Sequence, residues 1–227
     1  VNAADFVVAT TGTAAGTTVV VDDAGDLDDS TYTVTVSGIT GDGTLGLDFA
    51  GGTDIDDLFG NALNTTPTTD ETYTFDNTDP TVAISRDDTN PTNATSVAFS
   101  VDFSEDVTNV NAADFVLATT GSAAGTTVVV DDAGDLDDST YTVTVSGITG
   151  DGTLGLDLAG GTDIDDLVGN ALDTTPTTDE SYTVNHSVPT AAITRDNANP
   201  TNANSVAFSV DFSEDVTNVN AADFVLA

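Results

Sequence analysis

The sequence contains no cysteine, methionine, tryptophan or lysine, and its only basic side chains apart from a single histidine, His186, are Arg86 and Arg195. Without cysteine, the chain forms no disulfide bond, no zinc–thiolate site and no thiol nucleophile. Without lysine, it has no lysine-dependent catalysis and no Lys–Asn isopeptide bond. A serine–histidine–aspartate arrangement and a phosphate-binding loop also lack support. We therefore expect no enzymatic activity.

Positive charge is nearly absent: the chain has 39 acidic residues and two arginines, and its formal net charge is −37. Nucleic acids and acidic membrane surfaces would be repelled, because binding them needs lysine or arginine. No apolar run reaches 18 residues, so we expect no membrane insertion. Such a charge attracts cations, and its self-repulsion destabilises the compact state unless salt or divalent ions screen it. These features favour an extracellular location, at a cell surface or secreted.

A long internal repeat organises the chain. The hexapeptide VNAADF begins at residues 1, 110 and 219, a period of 109 residues. Residues 1–109 and 110–218 agree at 93 of 109 positions, and eleven of the sixteen differences lie between residues 72 and 95. Variation concentrated in one short segment is expected at a joint, which places boundaries just before Pro80 and Pro189. This period is too long for a solenoid and suits independent domains.

Three units follow from this division, and their names are kept below. The first unit, residues 1–79, is predicted to be an Ig-like domain that lacks its first strands. The second unit, residues 80–188, is predicted to be a complete domain. The third unit, residues 189–227, is predicted to supply the opening strands of a further domain.

Strand signals fill each unit. SVAFSVDFS (96–104) alternates strictly between apolar and polar residues, and Thr and Val dominate the other apolar segments. Further strands are predicted at 81–84, 114–118, 126–130, 141–145, 154–158, 181–184 and 190–193. GDGT (150–153) is an Asp-Gly hairpin signal between two of them. We predict an all-β fold of tandem immunoglobulin-like β-sandwich domains, about seven strands each, arranged as beads on a string.

The acidic stretch DDAGDLDD (22–29) returns at 131–138, just before Tyr32 and Tyr141. The spacing from Leu27 to Tyr32 is typical of a tyrosine corner, in which the phenol bonds to upstream backbone. Aspartate and glycine would then be turn-formers whose carboxylates bond local amides. The turn is the favoured interpretation, and the same residues remain a source of metal ligands.

Several segments together resemble the bacterial Ig-like repeats of very large surface adhesins and extracellular matrix proteins. They are DPTVAI (79–84), VAFSVDFSEDV (97–107), NAADF (111–115), YTVTVSGITGDGTL (141–154), DDLVGNAL (165–172) and ESYTV (180–184). The resemblance implies stalk segments, and it implies calcium at the junctions between domains. The second linker (184–188) departs from the first linker (75–79), because Asn185 and Val188 stand where the first linker has Asp76 and Asp79.

Calcium needs six to eight oxygen ligands, which no contiguous motif in this chain supplies. In a sandwich, however, alternate loops share a pole, so acidic loops and linker residues should meet at each junction. The predicted calcium ligands are Asp22, Asp23, Asp26, Asp76, Asp79, Asp87, Asp88, Glu105, Asp106, Asp131, Asp132, Asp135, Asp196, Glu214 and Asp215. A solvated acidic surface suited to high salt is the open alternative.

Three further features have simple structural interpretations. In DIDDLFGN (54–61), repeated as DIDDLVGN (163–170), Asp57, Gly60 and Asn61 could form an oxygen cage, but an Asx-type turn is preferred. Each arginine is expected to pair with a neighbouring carboxylate and to hold its strand. His186, whose counterpart is Asn77, is expected to be a solvated spacer.

The leading functional hypothesis is a structural stalk or filament segment of an extracellular bacterial adhesin or matrix protein, with cell adhesion and biofilm as its setting. Its partners would be neighbouring repeats of the same or identical chains. One alternative is a self-assembling fibre subunit, a homopolymer completed by strand donation between chains. A second is a carbohydrate-binding module, although its exposed aromatic candidates Phe59 and Phe49 become Val168 and Leu158 in the other copy.

Overall fold

The computed structural model describes residues 1–22, 30–131 and 139–225. Over these residues the chain consists of β-strands and three short 3-10 turns, at Ala3–Asp5, Ala112–Asp114 and Ala221–Asp223, and it has no α-helix there. No helix in this part of the chain is long and apolar enough to cross a membrane. The predicted all-β class is confirmed.

The strands fall into the three units as follows. The first unit holds β1 (Phe6–Thr10), β2 (Thr18–Asp22), β3 (Thr33–Ser37), β4 (Gly43–Phe49) and β5 (Tyr73–Phe75). The second unit holds β6 (Val82–Arg86), β7 (Ser96–Phe103), β8 (Val107–Thr108), β9 (Phe115–Thr119), β10 (Thr127–Asp131), β11 (Thr140–Ser146), β12 (Gly152–Leu158), β13 (Asp165–Asp166), β14 (Thr178–Asp179) and β15 (Tyr182–Val184). The third unit holds β16 (Ala191–Arg195) and β17 (Phe208–Phe212).

The second unit arranges its strands in two main sheets. One has the order β10-β11-β7-β6-β14, the other has the order β15-β12-β9, and β8 pairs separately with β13. Strict alternation along β7 buries Val97, Phe99 and Val101, while Ser100 and Asp102 stay outside the core. Strands of both sheets contribute to one apolar core, which is the packing expected of a β-sandwich. Every strand predicted for this unit is present. The immunoglobulin-like detail and the domain boundaries stay predictions.

The GDGT segment (150–153) does not form the predicted hairpin. β11 pairs with β7 and β10, whereas β12 pairs with β9 and β15, so the turn carries the chain from one sheet to the other. Gly152 has a φ of 147°, and a Cβ there would lie 2.0 Å from the carbonyl oxygen of Thr120. The glycine is thus required by a close backbone approach. The hairpin prediction was wrong because a turn signal is local, whereas strand partners are chosen by long-range packing.

The recurring VNAADF motif has a structural explanation. Asn111 begins the 3-10 turn, and its side-chain oxygen accepts a hydrogen bond from the Ala113 N–H at 2.9 Å. The buried carboxylate of Asp114 accepts the Asn111 N–H at 2.8 Å and the Thr162 hydroxyl at 2.8 Å. A buried carboxylate is tolerated only when it is hydrogen-bonded in this way. The same reciprocal capping occurs at the start of the first unit and in the third.

Tyr182 connects the two sheets of the second unit. Its buried ring packs edge-on against Phe99 at 5.1 Å between centroids. Its hydroxyl donates to the carbonyl oxygen of Ala98 at 2.6 Å and accepts the Asp88 N–H at 2.8 Å. Burial raises the pKa of this phenol, so it stays protonated as a donor. Its counterpart 109 residues earlier, Tyr73, is 73% exposed.

Tyr182→Phe is expected to lower the free energy of unfolding of the second unit by about 1–2 kcal/mol, because the Asp88 N–H loses its acceptor. The Ala98 carbonyl loses one of its two donors and keeps the Asp87 N–H. Tyr73→Phe is the matched control and should change it by less than ~0.5 kcal/mol. Urea unfolding followed by circular dichroism measures both. Equal effects of the two substitutions would contradict the sheet-connecting role of Tyr182.

Candidate metal centre at the first junction

Three carboxylates meet where the first linker reaches the second unit. Asp76 follows β5, Glu105 lies between β7 and β8, and Asp166 ends β13. Because β8 pairs with β13, with Val107 opposite Asp166, the loop that carries Glu105 lies beside Asp166. One oxygen from each carboxylate lies within 4.8 Å of the others. No other group of three or more potential metal ligands comes this close within residues 1–22, 30–131 and 139–225. We call this set the junction cluster.

Asp166 is held rigidly by the turn in which it lies. Its Oδ1 accepts backbone N–H groups from Val168, Gly169 and Asn170 at 2.7–2.8 Å. Its Oδ2 accepts the Asn170 side-chain amide at 2.7 Å. Burial acts to raise the pKa of Asp166, but the hydrogen bonds from Asn170, Val168 and Gly169 outweigh it and lower that pKa. Asp166 therefore brings a fixed negative charge to the junction cluster.

The same turn occurs in the first unit, where Asp57 accepts the Phe59 and Asn61 N–H groups and the Asn61 side-chain amide, each at 2.8 Å. The predicted Asx-type turn is therefore present in both copies. In the second unit, it also presents Asp166 to the linker.

The linker is hydrogen-bonded on both sides. Toward the second unit, the carbonyl oxygen of Asp76 accepts the Asn170 side-chain amide at 3.1 Å. Toward the first unit, the carboxylate of Asp42 accepts the Asn77 N–H and the Thr78 hydroxyl, both at 2.7 Å. These two hydrogen bonds lower the pKa of Asp42. The linker thus joins the units through specific contacts.

The pKa of Glu105 is raised, whereas the pKa values of Asp166 and Asp42 are lowered. Burial raises its pKa first, the charges of Asp76 and Asp166 raise it further, and a hydrogen bond shared with Asp76 and the charge of Asp42 add to the shift. The ionised form of Glu105 is therefore unfavourable beside Asp76, Asp166 and Asp42. A cation among them would relieve this repulsion, and carboxylate oxygens are the ligands that calcium prefers. Three carboxylates fit part of a calcium shell, and carbonyl or water oxygens would complete it.

The second junction has a different chemistry. Asn185 replaces the Asp76 of the first linker, and its amide donates to the Glu214 carboxylate at 3.1 Å. Asp151 accepts the His186 N–H at 2.6 Å and both the N–H and the hydroxyl of Ser187. At this junction an amide–carboxylate hydrogen bond stands where the first junction brings two carboxylates, Asp76 and Glu105, together.

His186 is not the solvated spacer that the sequence suggested. It is half-buried, and its Nδ1 lies 3.0 Å from the carbonyl oxygen of Gly150. Asn77 makes the equivalent contact in the first linker, where its side-chain amide donates to the Gly41 carbonyl at 2.7 Å. Both linkers therefore dock on the GDG turn of the unit before them.

Only part of the predicted ligand set meets in the junction cluster, namely Asp76 and Glu105. Others make local hydrogen bonds: Asp87 with the Ser100 hydroxyl, Asp88 with the Ala98 N–H and Asp196 with the Ser209 hydroxyl. Asp22 and Asp131 end β2 and β10. Asp79, Asp106 and Asp215 are not members of the junction cluster.

The remaining predicted ligands, Asp23, Asp26, Asp132 and Asp135, lie outside the described residues, as does the loop to which the tyrosine-corner phenols of Tyr32 and Tyr141 are expected to bond. The tyrosine corner stays a prediction. Asp166 and Asp42 are the acids of the site that sequence reasoning missed. The DIDDLVGN motif was the available signal, but the pairing of β8 with β13 cannot be read from it.

Arg86 pairs with a distant carboxylate. Its guanidinium lies 3.4 Å from Glu180, and its backbone N–H donates to the same carboxylate at 2.9 Å. The guanidinium also donates to the Ser181 carbonyl at 2.7 Å. The arginine therefore holds its strand, as expected, but through an acid 94 residues away rather than the adjacent Asp87.

The chain is thus an all-β tandem-repeat protein with an acidic cluster at one junction. Comparisons with protein-family models, with curated proteins and with solved structures found no match. The repeat, the fold and the junction are therefore the basis on which a function is proposed.

Proposed function

We propose that the chain is a structural stalk or filament segment of an extracellular bacterial adhesin or matrix protein, and that calcium stiffens its first junction. The observation that carries the proposal is the convergence of Asp76, Glu105 and Asp166 where the linker meets the second unit. Two of these acids belong to the second unit and one belongs to the linker. A cation shared by them would tie the two units together.

The hydrogen bonds of the linker support a stiff joint. Asp42 holds the linker to the first unit, and Asn170 holds it to the second. The gap between β5 and β6 is only residues 76–81, so few backbone torsions remain free. Repulsion among the acids of the junction cluster opposes this closed arrangement when no cation is present. A bound calcium ion would neutralise this repulsion and would link the carboxylate of the linker to the two carboxylates of the second unit.

The repeat supports a mechanical role. The first and second copies differ at 16 of 109 positions, and most differences lie at the joints. Near-identical units extend length without adding new recognition surfaces. A high net negative charge keeps such an extended chain soluble in a saline medium.

Calcium is expected to raise the melting temperature and to narrow the range of interdomain angles. With a dissociation constant of ~0.1–1 mM, typical of extracellular calcium modules, 10 mM calcium stabilises the bound state by ~1.4–2.7 kcal/mol. That corresponds to a rise of ~5–10 °C for a domain of this size. Thermal unfolding and small-angle X-ray scattering, each with sodium chloride at matched ionic strength as reference, measure the two effects.

Asp76→Asn is the matched variant, because it copies Asn185 of the second junction. The introduced side-chain amide is expected to donate to Glu105, so the variant should keep a closed junction without calcium and lose the calcium response. If calcium raises the melting temperature of the wild type no more than sodium does, the calcium proposal is wrong. An unchanged response in the Asp76→Asn variant would place the ion elsewhere.

A further inference from the structure

The opening and closing segments of the second unit run side by side in the same direction. β14 pairs with β6 in parallel, with Thr178 opposite Ala83. Just before this pairing, the Asp173 N–H donates to the Pro80 carbonyl oxygen at 2.9 Å. The other strand pairings of this unit, among the strands that the structure describes, are antiparallel. The contact between β6 and β14 therefore differs in direction from the rest of the unit.

Side chains continue this contact beyond the end of β6. The Arg86 guanidinium lies 3.4 Å from the Glu180 carboxylate and donates to the Ser181 carbonyl oxygen at 2.7 Å. Two residues further along each segment, the Asp88 N–H donates to the Tyr182 hydroxyl at 2.8 Å. Each contact thus lies further along both segments than the contact before it.

The same order holds up to the second linker. Asn90 accepts the Thr183 N–H at 2.6 Å, and Thr92 forms a parallel bridge with Val184. The Thr92 carbonyl oxygen accepts the Asn185 N–H at 3.0 Å. The contacts therefore advance together along residues 80–92 and residues 173–185. We call these two segments and their contacts the parallel zipper.

The parallel zipper lies where tension along the chain would act. Tension reaches the second unit at Pro80 and leaves it after Asn185. Because the two segments run in the same direction, pulling these points apart slides one segment along the other, and the contacts carry the load together. An antiparallel hairpin pulled at its open end would instead separate one pair at a time. The residues between the segments, 93–172, carry no tension while the zipper holds.

We propose that the parallel zipper is the force-bearing element of the repeat, loaded in shear when the chain is under tension. The proposal rests on the stalk part of the proposed function, because a stalk between a cell and a surface carries tension, and it does not involve calcium. The rate of unfolding under force is then set by the zipper contacts, which break first, and not by the total stability of the core.

Unfolding of single molecules at constant force tests the proposal on the 227-residue chain, held at its two ends in EDTA. Unfolding of residues 80–188 is recognised by a gain in length of roughly 300–400 Å, because an extended chain spans about 3.3–3.6 Å per residue. Arg86→Ala should raise the rate of this event about tenfold, since hydrogen bonds to a partly exposed charged group are lost. Arg195→Ala, at the same repeat position in the third unit, is the control and should leave the rate unchanged. An Arg86→Ala rate equal to that of the wild type overturns the proposal.

A core variant separates the zipper from general stability. Leu156 is fully buried in β12 and pairs with Leu117 of β9, away from the zipper. Leu156→Ala should destabilise the second unit in urea more than Arg86→Ala does. Under force, however, it should raise the unfolding rate less, because the core stays packed until the zipper has broken. If the two variants rank under force as they rank in urea, the core bears the load and the proposal is wrong.

A covalent lock tests the load path directly, because the chain has no native cysteine. Ala83 and Thr178 are register partners, so the Ala83→Cys/Thr178→Cys variant places two thiols across the zipper. After oxidation, tension passes through the disulfide bond, and the gain in length should fall by the length of residues 84–177. Reduction should restore the full gain. An oxidised variant that extends as far as the reduced variant would overturn the proposed load path.

This proposal and the calcium proposal fail in different experiments. The zipper is measured by force in EDTA, whereas the calcium response is measured by the melting temperature. A negative result under force together with an intact calcium response would reject the force-bearing role alone. A tenfold effect of Arg86→Ala without any calcium response would support the zipper and reject the calcium site.

Discussion

Phe99→Ala is expected to lower the free energy of unfolding of the second unit by about 3–5 kcal/mol, the usual cost of removing a buried aromatic ring. Phe99 is fully buried at the centre of the core and packs against Tyr182. Losing the ring removes apolar contacts and leaves a cavity between the two sheets. For a folded unit of this size, this change represents a large part of the total stability.

Phe208→Ala is the matched control, because Phe208 occupies the same repeat position and is 55% exposed. This control should change the free energy by less than ~1 kcal/mol. Urea unfolding followed by circular dichroism compares the two variants. A similar loss in both variants would show that repeat position, rather than burial, sets the cost.

Glu105→Gln is expected to make the chain more stable than wild type in EDTA at pH 7. The same substitution is expected to abolish the rise in melting temperature that calcium causes. The raised pKa of Glu105 means that the folded state holds this proton more tightly than the unfolded state does. Ionising Glu105 therefore costs stability, increasingly as the pH rises from the ordinary glutamate value through the raised folded value. Glutamine removes that cost. Because the side chain is only partly buried, we expect a rise of ~2–5 °C.

The same variant should lose the calcium-induced rise, because a ligand of the junction cluster is gone. In EDTA, the melting curves of wild type and variant should converge below the ordinary pKa of glutamate. The calcium response of the wild type should weaken over the same acid range, since protons compete for the carboxylates.

Glu214→Gln is the control for Glu105→Gln. Glu214 already accepts a hydrogen bond from Asn185, so its substitution should not stabilise the chain in EDTA. Differential scanning calorimetry from about pH 3 to about pH 8, which spans the carboxylate titration range, measures all three proteins. A Glu105→Gln variant that is less stable than wild type in EDTA and still responds to calcium would contradict the assigned electrostatics.

Much of the fold could be predicted from the sequence because strand formation here is local. The alternation in SVAFSVDFS predicted a strand at 96–104, and β7 covers Ser96–Phe103. Apolar residues at every second position must face one side of an extended chain, whatever the strand pairs with. The same reasoning placed β9, β11 and β12 to within one or two residues.

The junction was only partly predictable. Asp76 and Glu105 were candidates because linkers and acidic loops were expected to share a pole. Asp166 and Asp42 were missed because their positions depend on which strands pair and on how the linker docks. The partner of Arg86 was missed for the same reason, since Glu180 lies 94 residues away.

The amino-acid sequence was enough to establish four features: the period of the repeat, the all-β class, the strand positions and the excess of negative charge. All four follow from composition and from neighbouring residues. Two other features required the folded arrangement: the crossing of GDGT between sheets and the carboxylates that meet at the junction. Those outcomes depend on contacts between residues far apart in the chain. Their free energy is set by packing and by local electrostatics, which no short segment encodes.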